Sequence, residues 1–120
     1  MIAAWLPRVA ATIVRYAGRM DRHRLGELRS LAYHRVIAER LDEETVARAR
    51  ENAQRSAAGG SEYGERWLEL LDGPREALRD ALIEEGEEMV AMRQSSPFAG
   101  CLDPRERWRI HREVREREAT

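Results

Sequence analysis

Lysine is missing altogether: all 21 basic residues of the 120-residue chain are arginine. There is one cysteine, Cys101, one phenylalanine, Phe98, and aromatic residues make up only 6% of the sequence. A lone thiol excludes an internal disulfide and suits a reducing compartment, so a cytoplasmic location is expected. β-Branched residues are sparse and no segment alternates apolar with polar at period two, which removes the signature of a sheet. No Gly-rich phosphate loop, Ser/His/Asp signature or Cys-x-x-Cys pair occurs, so nucleophilic catalysis has no candidate. Metal ligation fares no better. His23 and His34 stand about 16 Å apart along a helix, and His111 is remote in sequence. Glu84, Glu85, Glu87 and Glu88 lack the histidine that helical-bundle metal sites draw on. Neither a metal nor a cofactor is expected.

What remains is helix-forming. Ala, Glu, Leu and Arg dominate, 42% of residues are hydrophobic and 36% charged. Much of the apolar share is alanine, which buries little area, so the core is modest and many faces point at water or at a partner. The length fits one domain. The fold class read from this is all-α, about five to six amphipathic helices in a small bundle or an extended helical array. The exclusive use of arginine follows the same lean as the abundant Ala, Gly and Glu and is read as codon bias rather than as selection for phosphate contacts. Net charge is −1, so no global field draws in nucleic acid. Locally the charge is segregated: residues 1–40 carry eight Arg against three acids (+5), residues 41–92 six against fourteen (−8), and residues 93–120 seven against five (+2).

Along the chain, Ile2, Trp5, Leu6, Val9, Ile13 and Ala17 recur at helical spacing and predict an N-terminal amphipathic extension, residues 1–19, ahead of a single helical domain, 20–120. Pro7, Arg8 and Arg15 interrupt this run, it is too short to cross a membrane, and no small-residue cleavage site follows, which argues against secretion. Membrane-surface binding and a transit peptide are alternative readings of it. From Asp21, a good cap, the pattern Leu25, Leu28, Leu31/Ala32, Val36, Leu41 predicts a helix of about five turns. Asp42 caps the next, with Val46, Ala49/Arg50, Ala53 and Ala57 inward and Glu44–Arg48 and Glu51–Arg55 pairs at i,i+4, ending at Gly59-Gly60. Ser61 caps a helix whose Tyr63, Trp67, Leu70 and Leu71 form the most hydrophobic face. Asp72-Gly73-Pro74 then opens one long helix with Leu78, Ala81/Leu82, Met89 and Met92 inward. Gln94–Cys101 is the longest irregular stretch, with Ser96 before Pro97 disfavouring helix and Gly100 permitting an unusual turn. Phe98 in this loop is either tucked onto the core or offered to a partner, and the sequence favours neither. Asp103-Pro104-Arg105-Glu106 starts the last helix with cap, first-turn proline and capping-box acid in register.

Two functional signals rest on residue spacing. Arg29…His34 and Arg105…His111 fit the Arg-x4–6-His spacing of the helical HEPN ribonucleases, in which the pair assists attack of the RNA 2′-OH on the adjacent phosphodiester. In so arginine-rich a chain such spacings arise by chance. A helix-turn-helix built on Arg22, Arg24, Arg29 and Arg35 is countered by Glu27 and Glu39 and by the lack of a recognition-helix pair, so nucleic acid is not the expected partner.

The stretch Met92-Arg-Gln-Ser-Ser-Pro-Phe-Ala-Gly-Cys-Leu-Asp-Pro-Arg-Glu-Arg-Trp-Arg-Ile110, together with Leu28-Arg-Ser-Leu-Ala-Tyr-His-Arg35, resembles small uncharacterised actinobacterial helical proteins associated with toxin–antitoxin loci. There a helical antitoxin accompanies a nucleotidyltransferase-like toxin. The resemblance covers about residues 20–115 and implies a non-enzymatic protein that neutralises a cognate toxin by direct binding. It also implies that Phe98, Trp108, Pro97, Met92 and Arg105 contact the toxin or organise the surface that does. A HEPN-like ribonuclease and a self-associating helical adaptor or regulator are the alternatives.

Overall fold

Three of the described helices begin at a side-chain cap. A computed structural model describes residues 22–119, which form six helices and no strand. The N-terminal helix expected over Ile2–Ala17, the boundary near residue 20 and the cap at Asp21 lie outside the described residues. The first helix, α1, runs over 22–39. Asp42 then accepts the Thr45 N–H at 2.7 Å and opens α2, Glu43–Ala58, with Glu43 and Glu44 in the favourable first turn. Gly60, at φ +92°, closes α2: its own N–H reaches the Ala57 carbonyl and that of Ser61 the Ser56 carbonyl, each at 3.0 Å. Ser61 caps α3, Glu62–Asp72, through the Gly64 N–H.

The single long helix expected after Pro74 is in fact two, α4 (Arg75–Leu82) and α5 (Glu87–Gln94), separated by a turn. Two things favour the break. Gly86 lies among four glutamates whose like charges repel on a continuous helix. The Arg93 side chain, only 4% exposed, donates to the Leu82 carbonyl at 3.3 Å and the Glu84 carbonyl at 2.6 Å. Carbonyls left without an intrahelical partner by the break are thereby satisfied. The last helix, α6, spans Pro104–Ala119. Asp103 caps it by accepting the Arg105 N–H at 2.9 Å. Glu106 does not complete a capping box: its carboxylate is taken by Arg40 at the end of α1 and by Arg109.

The elements are stapled in sequence, α2 against α3, α3 against α4 and α4 against α5. The α2–α3 contact is close because α2 offers alanines, Ala49 and Ala53, and α3 offers Gly64. A Cβ on Gly64 would come within 2.6 Å of the Ala57 nitrogen. Arg48 and Arg55 do not form the expected i,i+4 pairs; Arg48 donates to the Gly100 carbonyl and Arg55 to Asn52. Trp67 and Phe98, both 0% exposed, meet edge to face at 6.0 Å at the centre of the core. Ile37, Leu78 and Leu82 close around them within the same cluster. No described helix is long and apolar enough to cross a membrane.

Candidate functional site

Residues 95–103 form a turn-rich loop without helix, and several of its groups, with the end of α5 before it, are held by distant side chains. Asn52 donates to the Pro97 carbonyl at 2.9 Å and the Tyr33 hydroxyl donates to the Phe98 carbonyl at 2.7 Å. The Leu102 N–H donates back to the Tyr33 oxygen at 3.3 Å, and the Trp67 indole N–H donates to the Met92 carbonyl at 3.0 Å. A loop so tied is a rigid scaffold rather than a flap.

His34 is the central tie. Its Nδ1 lies 2.7 Å from the Ser30 carbonyl, which can only accept, so Nδ1 carries the proton. Nε2 therefore accepts the Ser96 hydroxyl proton at 2.6 Å, while the Ser96 oxygen accepts the Phe98 N–H at 3.1 Å. Burial, aided by the positive charge of Arg93, pushes the imidazole down to about 4. A hydroxyl aimed at an imidazole has the geometry of a nucleophile–base pair. Here the base is too weak for neutral pH, and a backbone carbonyl, not a carboxylate, backs it. The arrangement orders a loop. With both ring nitrogens engaged, His34 has neither free for the 2′-OH attack that the Arg29…His34 spacing suggested.

In front of this loop lies a cleft of about 590 Å³ between α1, α5 and α6. It is lined by Arg29, Ser30, Tyr33 and His34 from α1, Arg93 from α5, Ser95, Ser96, Ala99 and Gly100 from the loop, and Arg107 and His111 from α6. The two segments that carried the family resemblance, 28–35 and 92–110, thus converge in space on one cleft. His111 is held below its ordinary value by burial and by the charges of Arg29 and Arg107. The second HEPN-type spacing is not assembled as written: His111 faces Arg29 and Arg107, whereas Arg105 is exposed and does not line the cleft. Glu27 is the sole carboxylate among the described lining residues, and it pairs with His23 at 3.0 Å.

The five residues expected at a partner surface separate into two groups. Trp108, 68% exposed, and Arg105 stand on the outside of α6. Phe98, Met92 and Pro97 are buried, so their contribution to any surface is to shape the loop. Of the two readings of Phe98, tucked onto the core is the one observed. Tyr33 and His34 are buried beside the leucine stripe that the sequence pattern singles out. The signal was present: His34, Ile37, Ala38 and Leu41 recur at i, i+3, i+4, i+7. Among the described residues no group of three or more His, Cys, Asp or Glu gathers where it could hold a metal ion. Cys101 is half-buried and burial pushes its thiol up, which favours the thiol over the nucleophilic thiolate.

No protein-family model, curated protein or solved structure matches this chain significantly.

Proposed function

We propose that this chain is a protein-binding neutralising partner of the antitoxin kind, which silences a cognate toxin of nucleotidyltransferase type by direct complex formation. The observation that carries the reading is Trp108, 68% exposed on a helix whose Ile110 and Val114 are buried. Arg105, Arg112 and Arg115 share its face at helical spacing and are exposed as well. An indole set among guanidinium groups is the chemistry that dominates protein–protein hot spots. It does no packing within the core formed by the described residues. The partner that fits presents an apolar pocket rimmed by carboxylates. The scaffold suits the task, since α6 is fixed to α1 through Arg40 and Glu106 and the adjoining loop is rigid.

The test is affinity purification of the tagged chain from its own host, followed by co-expression with the neighbouring gene. A stoichiometric partner with a nucleotidyltransferase signature, whose toxicity the chain suppresses and Trp108→Ala does not, is the expected result. Elution as a homo-oligomer with no suppression of toxicity overturns the reading.

A further inference from the structure

The cleft between α1, α5 and α6 carries positive charge that the carboxylates of the described residues do not neutralise. Arg29 is half-buried there, and its Nε is fully shielded from water without a hydrogen-bond partner. A buried donor without a partner is costly and calls for a ligand or a bound water. Arg107 and His111 project into the same cleft from successive turns of α6. Among the described residues no carboxylate pairs with Arg29 or Arg107. Glu27, the one acid in the lining, is engaged by His23. The volume of about 590 Å³ lies within the range of small-molecule sites.

We propose that this cleft binds a phosphate monoester, with the guanidinium groups of Arg29 and Arg107 and the imidazole of His111 gripping the phosphoryl oxygens. The arginine fork matches phosphate oxygens, and the apolar wall of Val90, Ala99 and the Tyr33 ring leaves room for an attached organic group. His111 completes the site as a titrating donor. The charged and titratable groups lining the cleft with it are Arg22, His23, Glu27, Arg29 and the neutral His34 from α1, Arg93 from α5 and Arg107 from α6. Burial and the charges of Arg29 and Arg107 favour the neutral form of His111, and a phosphate dianion beside it would favour the protonated form. This inference is independent of the toxin-binding reading, because Trp108 lies outside the cleft.

The experiment is calorimetric titration of the full chain with inorganic phosphate, adenosine 5′-monophosphate, a 5′-phosphorylated dinucleotide and acetate, alongside NMR titration of the His111 imidazole. Saturable 1:1 binding of the phosphates, an upward His111 shift of about one unit on saturation, and a loss of about tenfold or more in affinity in Arg29→Gln and Arg107→Gln are expected. Arg66→Gln, on α3 and outside the cleft, retains full affinity. Tighter binding of the mononucleotide than of the dinucleotide assigns a small-molecule source, and the reverse a nucleic-acid end. Should Arg29→Gln fail to fold, Arg107→Gln, on the exposed side of α6, decides alone. Absence of saturable phosphate binding, equal affinity for acetate, or full affinity in Arg107→Gln overturns the proposal.

Discussion

Ser96 donates its hydroxyl proton to His34 Nε2 at 2.6 Å across 62 positions of sequence, and this one bond ties the irregular loop to the middle of α1. The bond requires a neutral imidazole, and its titration follows. The folded value of about 4 lies below the ordinary 6.5, so between the two the unfolded chain binds a proton that the folded chain refuses. Stability from this group is therefore complete above pH 6.5 and is lost as pH falls towards 4, to a total of about 3 kcal/mol. Urea denaturation across that range should show the slope, and His34→Gln should flatten it. His111, also lowered, contributes with the same sign and remains in the variant.

Phe98 and Trp108 should behave as opposites. Phe98→Ala empties a site touched by Trp67 and His34 and is expected to cost about 3–5 kcal/mol, a large share of a small domain's stability. Trp108→Ala should leave the melting midpoint nearly unchanged, within about 0.5 kcal/mol, while weakening partner binding by about 2 kcal/mol or more. Thermal melts and partner titrations on the two variants separate these effects. An equal loss of stability in both would mean that the indole packs within the fold.

The glycines give a second contrasting pair. Gly64→Ala would drive a methyl to 2.6 Å from the Ala57 nitrogen, pushing α2 and α3 apart at a cost of about 1–3 kcal/mol. Gly26→Ala meets nothing within 4 Å on an exposed face of α1 and should stabilise by about 0.5–1 kcal/mol. Denaturant midpoints with unchanged slopes would report both.

Tyr33→Phe removes one hydroxyl that serves two loop groups, the Phe98 carbonyl and the Leu102 N–H. A destabilisation of about 1–3 kcal/mol is expected, with faster amide exchange at Leu102 than elsewhere. Uniformly raised exchange would place the effect in the core instead of the loop.

Local chemistry made most of the fold legible. Asp42, Ser61 and Asp103 announce helix starts because a short oxygen-bearing side chain satisfies a free N–H within its own first turn, and Gly59-Gly60 announces a stop for the same kind of local reason. The break between α4 and α5 was not legible, since its decisive partner is Arg93, whose reach back to the Leu82 and Glu84 carbonyls depends on the packed fold. Glu106 misled in the same way: the spacing fits a capping box, but Arg40, brought close only by folding, outcompetes the backbone. The cleft was invisible in sequence because Arg29 and His111 come from opposite ends of the described chain. The exposed face of α6 could have been read from Arg105, Trp108, Arg112 and Arg115, which keep helical register without an acid among them.

The loop at 95–103 has a final consequence for how the molecule is destroyed. Its hydrogen-bond anchors come from α1 and α2, and Phe98 packs on Trp67 of α3, so the segment has no opening of its own that leaves those helices undisturbed. A protease offered this chain would find the Ser95–Leu102 backbone, which looks from the sequence like the obvious place to cut, among the last segments to yield. Degradation would begin at the helix ends and reach the loop only when the whole domain unravels.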